Sequence, residues 1–67
     1  MSMEQNLIAE YYTKEGAIEV YKNKYGYKYY LDIFNRCDAS ASNKKELKKI
    51  IRELGANPNK PIFGEVL

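Results

Sequence analysis

Histidine and tryptophan are absent from the chain, and cysteine occurs once, at Cys37. A single thiol allows no internal disulfide. With no imidazole beside it, Cys37 can neither complete a zinc-type ligand set nor act as half of a thiol–imidazole nucleophile pair. The four glycines, Gly16, Gly26, Gly55 and Gly64, lie far apart, so no glycine-rich phosphate loop exists. The carboxylates form no paired set at a spacing that suggests general acid–base work. No apolar run approaches the roughly 20 residues that a membrane span needs. The start, Met1-Ser2-Met3-Glu4-Gln5-Asn6, has neither the basic nor the apolar region of a signal peptide. These absences argue against a catalytic residue, a metal, a cofactor, a small-molecule substrate and a membrane partner. They lead to the expectation of a non-enzymatic cytoplasmic protein.

Sixty-seven residues make one domain, 1–67. Below roughly 70–80 residues a single core supplies only on the order of 3–5 kcal/mol. Without disulfides or a metal, good packing or a partner subunit must supply the rest, and a homodimer is the expected form. Hydrophobic residues make up 45% and charged residues 30%, too apolar a mixture for a disordered chain. The Lys, Asn, Ile and Tyr content resembles that of AT-rich bacterial or phage genomes.

The residue pattern predicts a small α+β domain, helix–β-hairpin–helix, with both helices on one face of a thin antiparallel sheet. Met3, Leu7, Ile8 and Tyr11 follow a helical i, i+4, i+5, i+8 spacing, Ser2 and Gln5 have capping-box spacing, and Gly16 offers a stop. The first helix is therefore predicted at about 3–14, a strand through Tyr11-Tyr12 being the rival. Residues 17–23 and 27–35 are rich in β-branched and aromatic types and are predicted as a hairpin about the turn Asn23-Lys24-Tyr25-Gly26. That loop places Val20 opposite Tyr29 and Ile18 opposite Leu31, with Ile33 on the same face. The other face receives Tyr21, Lys28, Tyr30 and Phe34, with Glu19 and Asp32. Residues 36–42 read as a polar connector with room for a short third strand. Asn43 and Glu46 then open a helix at about 43–54, and Leu47, Ile50, Ile51 and Leu54 form its apolar stripe. The proline-containing tail 56–67 is irregular, though Ile62 to Leu67 could dock as an edge strand.

The net charge of +2 conceals an asymmetry: residues 1–20 sum to −3 and residues 21–60 to +6. The second helix concentrates the excess. With Lys44 at zero and about 100° per residue, Lys44, Lys45, Lys48, Lys49 and Arg52 fall within about 140°, opposite the apolar stripe. Such a face can neutralise several phosphates, or it can be an ordinary solvated lysine face. Lys28 joins these five as a candidate nucleic-acid contact. Tyr21, Tyr30 and Phe34 are candidates for stacking bases or for an interface, and tyrosines Tyr25 and Tyr27 could project at the hairpin tip.

The run Asn43-Lys44-Lys45-Glu46-Leu47-Lys48, after a hairpin, resembles the start of the last helix of double-stranded-RNA-binding domains. Leu7-Ile8-Ala9-Glu10-Tyr11 resembles their first helix. The chain departs from them in lacking an obvious third strand, a Gly-Pro-x-His loop and the glycines before the lysine pair. A hairpin followed by a lysine-rich helix is also similar to integrase arm-binding domains and to small single-strand-binding sheet proteins. Three partial matches assign no family.

Two functions are thus expected from the sequence. One is a nucleic-acid-binding module from a phage or mobile element, acting through the basic helix. The other is a protein-interaction module, such as a phage accessory that binds and inhibits a host protein, with the tyrosines and Ile62-Phe63 as anchors.

Overall fold

The computed structural model of the chain describes residues 5–23 and 28–64. Four strands follow one another: β1 (Gln5–Thr13), β2 (Gly16–Asn23), β3 (Tyr29–Ile33) and β4 (Arg36–Ala41). Helix α1 (Lys44–Glu53) comes next, and the two-residue β5 (Phe63–Gly64) closes the order. All strand pairs are antiparallel, in the sheet order β4-β3-β2-β1-β5. Among the described residues the expected helix–hairpin–helix is therefore replaced by a five-stranded sheet with one helix. The expected Ser2–Gln5 cap, the Asn23–Gly26 turn with Tyr25 and Tyr27, and the last residues of the tail lie wholly or partly outside the described residues.

The segment expected as the first helix is instead the longest strand. Its apolar spacing misleads because the β1–β2 register shifts between Leu7, opposite Tyr21, and Ala9, opposite Val20. Ile8 is the extra residue of a bulge. Leu7 and Ile8 are adjacent apolar residues, so strict alternation fails at that point and a helical stripe is imitated. Beyond the bulge the alternation is clean: Ala9 and Tyr11 are buried, and Tyr12 is exposed. Gly16 does not end a helix. It follows the tight turn Lys14-Glu15, where the Thr13 hydroxyl accepts from the Glu15 N–H at 3.2 Å and donates to the Gly16 carbonyl at 3.1 Å.

The β2–β3 hairpin keeps its predicted faces but not its predicted register. Val20 faces Leu31 and Ile18 faces Ile33, two residues along from the expected partners. A shift of two preserves the side of every residue, whereas a shift of one would reverse them all. Phe34 and Asn35 do not extend β3. They form the two-residue turn to β4, with φ of 54° and 67°. Such turns demand positive φ at both positions, which suits Asn35 and strains Phe34. The Phe34 ring lies over Gly16, where an added Cβ would come within 3.2 Å of the ring. The half-buried ring packs against the core and offsets that strain.

One face of the sheet makes the core. Ala9, Tyr11, Ile18, Val20, Tyr29, Leu31, Ile33 and Ala41 bury there against Leu47 and Ile51 of α1. The Asn43 side chain caps the helix by accepting from the Glu46 N–H at 2.9 Å. At the other end Gly55 N–H donates to Arg52 and Ala56 N–H to Ile51, a Schellman arrangement that turns the chain back. The tail that follows is ordered by specific bonds. The buried Tyr11 hydroxyl donates to the Pro58 carbonyl at 2.8 Å, and the Ile62 N–H donates to the Glu10 carbonyl at 2.8 Å. Gly64 then pairs with Ala9 at φ 89°. Among the described residues no helix is long and apolar enough to cross a membrane.

Tyr11→Phe strands the Pro58 carbonyl and is expected to cost about 1–3 kcal/mol in urea unfolding. Gly64→Ala drives a Cβ into the Ile8 carbonyl at a positive φ. It is expected to release β5, seen as lost amide-exchange protection of Ile62 without loss of protection in β2 and β3.

Candidate functional site: two faces of opposite charge

The apolar side of α1 is sealed by Leu47 and Ile51, both fully buried, with Ile50 and Leu54 beside them. The opposite side must face water. Lys44, Lys45, Lys49 and Arg52 are exposed there and Lys48 is half-buried, so the structure brings the five expected cations onto one exposed helix surface. Strand register adds two basic residues that charge counting along the chain did not single out. Lys22 stands opposite Tyr29, and Arg36 stands opposite Ile33. Both partners belong to the core face, so both cations lie on the helix side of the sheet. The signal was their parity: Lys22 is two residues from Val20, and Arg36 follows a two-residue turn.

The outer face carries the opposite charge. Glu10 faces Glu19 across β1 and β2, and Glu19 faces Asp32 across β2 and β3. Phe63 continues this row beyond Glu10, and Cys37 continues it beyond Asp32. A parallel row on the same face is Leu7, Tyr21, Tyr30 and Ser40. On the other side of the acids stand Tyr12 and Ala17. Tyr21 and Tyr30 are therefore neighbours on the outer face, as expected. Phe34 is not with them, because it lies in the β3–β4 turn. Lys28, exposed just before β3, continues the alternation of Tyr30 and Asp32 to the outer side, away from the helix cations. Tyr30 thus has Tyr21 and Ser40 across the strands, and Asp32 and Lys28 two residues away along the chain.

The field of the acidic row is visible in Tyr21. Its hydroxyl donates to Glu19 Oε1 at 3.1 Å. Desolvation by burial, this bond and the negative charges of Glu19, Asp32 and Glu10 all push its phenol above the usual value of 10.0. Burial alone pushes Tyr11 upward as well. Asp32 Oδ1 is shielded from solvent and has no hydrogen-bond partner among the described residues. Among the described residues no three Asp, Glu, Cys or His side chains approach closely enough to hold a metal ion. At the C-terminal end of α1 an open depression is lined by Arg52, Gly55, Ala56, Asn57 and Pro58. It is too shallow to enclose a ligand.

No family model, no curated protein and no solved structure matches this chain. The resemblance to double-stranded-RNA-binding domains also loses its first element, since Leu7 to Tyr11 is strand rather than helix.

Both tyrosines are neutral in the fold beyond the pH at which they ionise when unfolded. Their contribution to stability is therefore complete below about pH 10 and declines as pH rises through their folded values. An ultraviolet titration is expected to show Tyr21 ionising above 10. Glu19→Gln should lower that value, while Tyr11 keeps its own.

Proposed function

We propose that the chain is a small non-enzymatic nucleic-acid-binding module that holds phosphate through Lys44, Lys45, Lys48, Lys49 and Arg52. The observation that carries this reading is the sorting of all five cations onto the free face of a helix whose other face is buried. Lys44 and Lys45 begin the helix, where a positive charge opposes the macrodipole and weakens it by a few tenths of a kcal/mol. A phosphate beside them turns that cost into an attraction, because it meets the cations and the helix N-terminus together. Lys22 and Arg36 add positive charge on the helix side of the sheet, at opposite ends of the β2–β3 register. Contact of this kind reads the backbone and not the bases, so discrimination between sequences is expected to be weak.

The outer face has no part in this binding. A base stacked on Tyr30 would bring its phosphates toward Glu10, Glu19 and Asp32. A second reading, a protein-interaction module, draws on the exposed Tyr12 and Phe63, which lie on that face.

Binding to single- and double-stranded oligonucleotides is expected to weaken steeply between about 50 and 200 mM salt. Each phosphate contact contributes about 0.7–0.9 to the log–log slope. Lys45→Glu with Lys48→Glu and Lys49→Glu should abolish binding, and Glu10→Gln with Glu19→Gln should leave it unchanged or slightly stronger. No binding at the lowest salt would overturn the reading.

A further inference from the structure

We propose that the outer face of the sheet is a docking surface for an arginine- or lysine-bearing segment of a protein partner. The inference uses residues separate from the helix cations, so it stands whether or not nucleic acid binds.

Glu10, Glu19 and Asp32 occupy three adjacent strands in direct cross-strand register. Neighbouring strands lie about 4.8 Å apart, so the row sets like charges side by side, an arrangement that destabilises a sheet. Every neighbouring register position is uncharged: Leu7, Tyr21, Tyr30 and Ser40 on one side, Tyr12 and Ala17 on the other. Among the described residues no cation occupies a register position beside the row. Asp32 Oδ1 is withdrawn from water with its acceptor capacity unused. Tyr21 gives its only hydroxyl proton to Glu19. A cationic donor is what the row lacks among the described register positions.

The rest of the face is apolar and open. Tyr12 is 65% exposed, Phe63 55% and Leu7 38%, and no described element packs over them. Aromatic faces beside carboxylates suit a guanidinium or ammonium group, which stacks on the ring while it pairs with the acid. Arginine suits the row best, since its planar fork can bridge two neighbouring carboxylates. Nucleic acid and anionic lipid are repelled by the same charges. A second copy joined through this face about a two-fold axis would set one acidic row against another. A second copy's α1 would be attracted, but stacking helix on sheet leaves both ends open and builds chains of molecules. A cationic segment of another protein satisfies the charge without that consequence.

The test is a titration of the isotopically labelled full chain with a synthetic peptide of alternating arginine and serine, followed by NMR at low salt. A peptide with glutamate in place of arginine is the control. The expected result is a set of amide shifts confined to Glu10, Glu19, Tyr21, Tyr30 and Asp32, absent with the control peptide. Glu10→Gln with Glu19→Gln and Asp32→Asn should weaken binding about tenfold or more, the scale of one to two charge-assisted pairs. Because it removes like-charge pairs, that variant should melt no lower than the parent. Glu19→Gln alone repeats the test if the triple variant does not fold. Reversing Lys45, Lys48 and Lys49 should leave peptide binding intact, which separates this surface from the proposed phosphate site. Shifts scattered over the surface, equal binding by the neutralised variant, or concentration-dependent self-association that accounts for the same shifts would each overturn the proposal.

Discussion

Leu47 and Ile51 are the two fully buried side chains through which a ten-residue helix closes one face of a five-stranded sheet. A helix of that length reaches about 15 Å, and the chain has no second one among its described residues. The inner face must therefore be finished by other means. Tyr29 covers part of it from β3. The tail after Gly55 is turned back toward β1 by the Schellman bonds and held there by the Tyr11–Pro58 hydrogen bond. This also explains why an irregular, proline-containing segment is well ordered: Pro58 is buried, and its carbonyl satisfies a phenol in the core. With one helix committed inward, the outer face of the sheet stays uncovered by any described element.

Much of this was legible residue by residue. The helix was plain, because its cap and its apolar stripe agree with one another. The two sides of β2 and β3 were plain as well, because alternation survives an even shift of register. The first segment was not. A bulge places Leu7 and Ile8 side by side, and a period of two broken once over nine residues resembles a period of 3.6. The β-branched and aromatic run through Tyr11, Tyr12 and Thr13 was the correct signal, and it was outweighed by spacing. Phe34 went astray because a bulky residue at positive φ is uncommon in a turn. Nothing in its immediate neighbours announces the contact with Gly16 that makes it tolerable.

The candidate surfaces divide along the same line. The helix cations were legible, since helical geometry needs only local sequence. The acidic row was not, because Glu10, Glu19 and Asp32 meet only after three strands pair in one register. Glu19 and Asp32 share a face by alternation alone, but the local spacing around Glu10 is that of a helix. Once β1 joins the sheet, the picture of an aromatic and basic outer face gives way to an aromatic and acidic one. The strand positions themselves sort the charges, with Lys22 and Arg36 on the helix side and the three carboxylates opposite.

This sorting has a consequence that the net charge of +2 hides. At physiological salt the Debye length is about 8 Å, so a charge on one face is largely screened from a group touching the other. At lower salt the two fields reach further, and a partner is oriented before it makes contact. An anionic polymer is drawn to α1 with the acidic row turned away, whereas a cationic segment is drawn to the row with α1 turned away. Complementarity of this kind acts on encounter and orientation more than on final affinity. The affinity of either contact must then come from what lies beside the charges. On the helix face that is little besides further lysines, which suits a salt-sensitive grip on a repeating backbone. On the sheet it is Tyr12, Tyr21, Tyr30 and Phe63, side chains able to add apolar contact to a charge pair and to discriminate one partner from another.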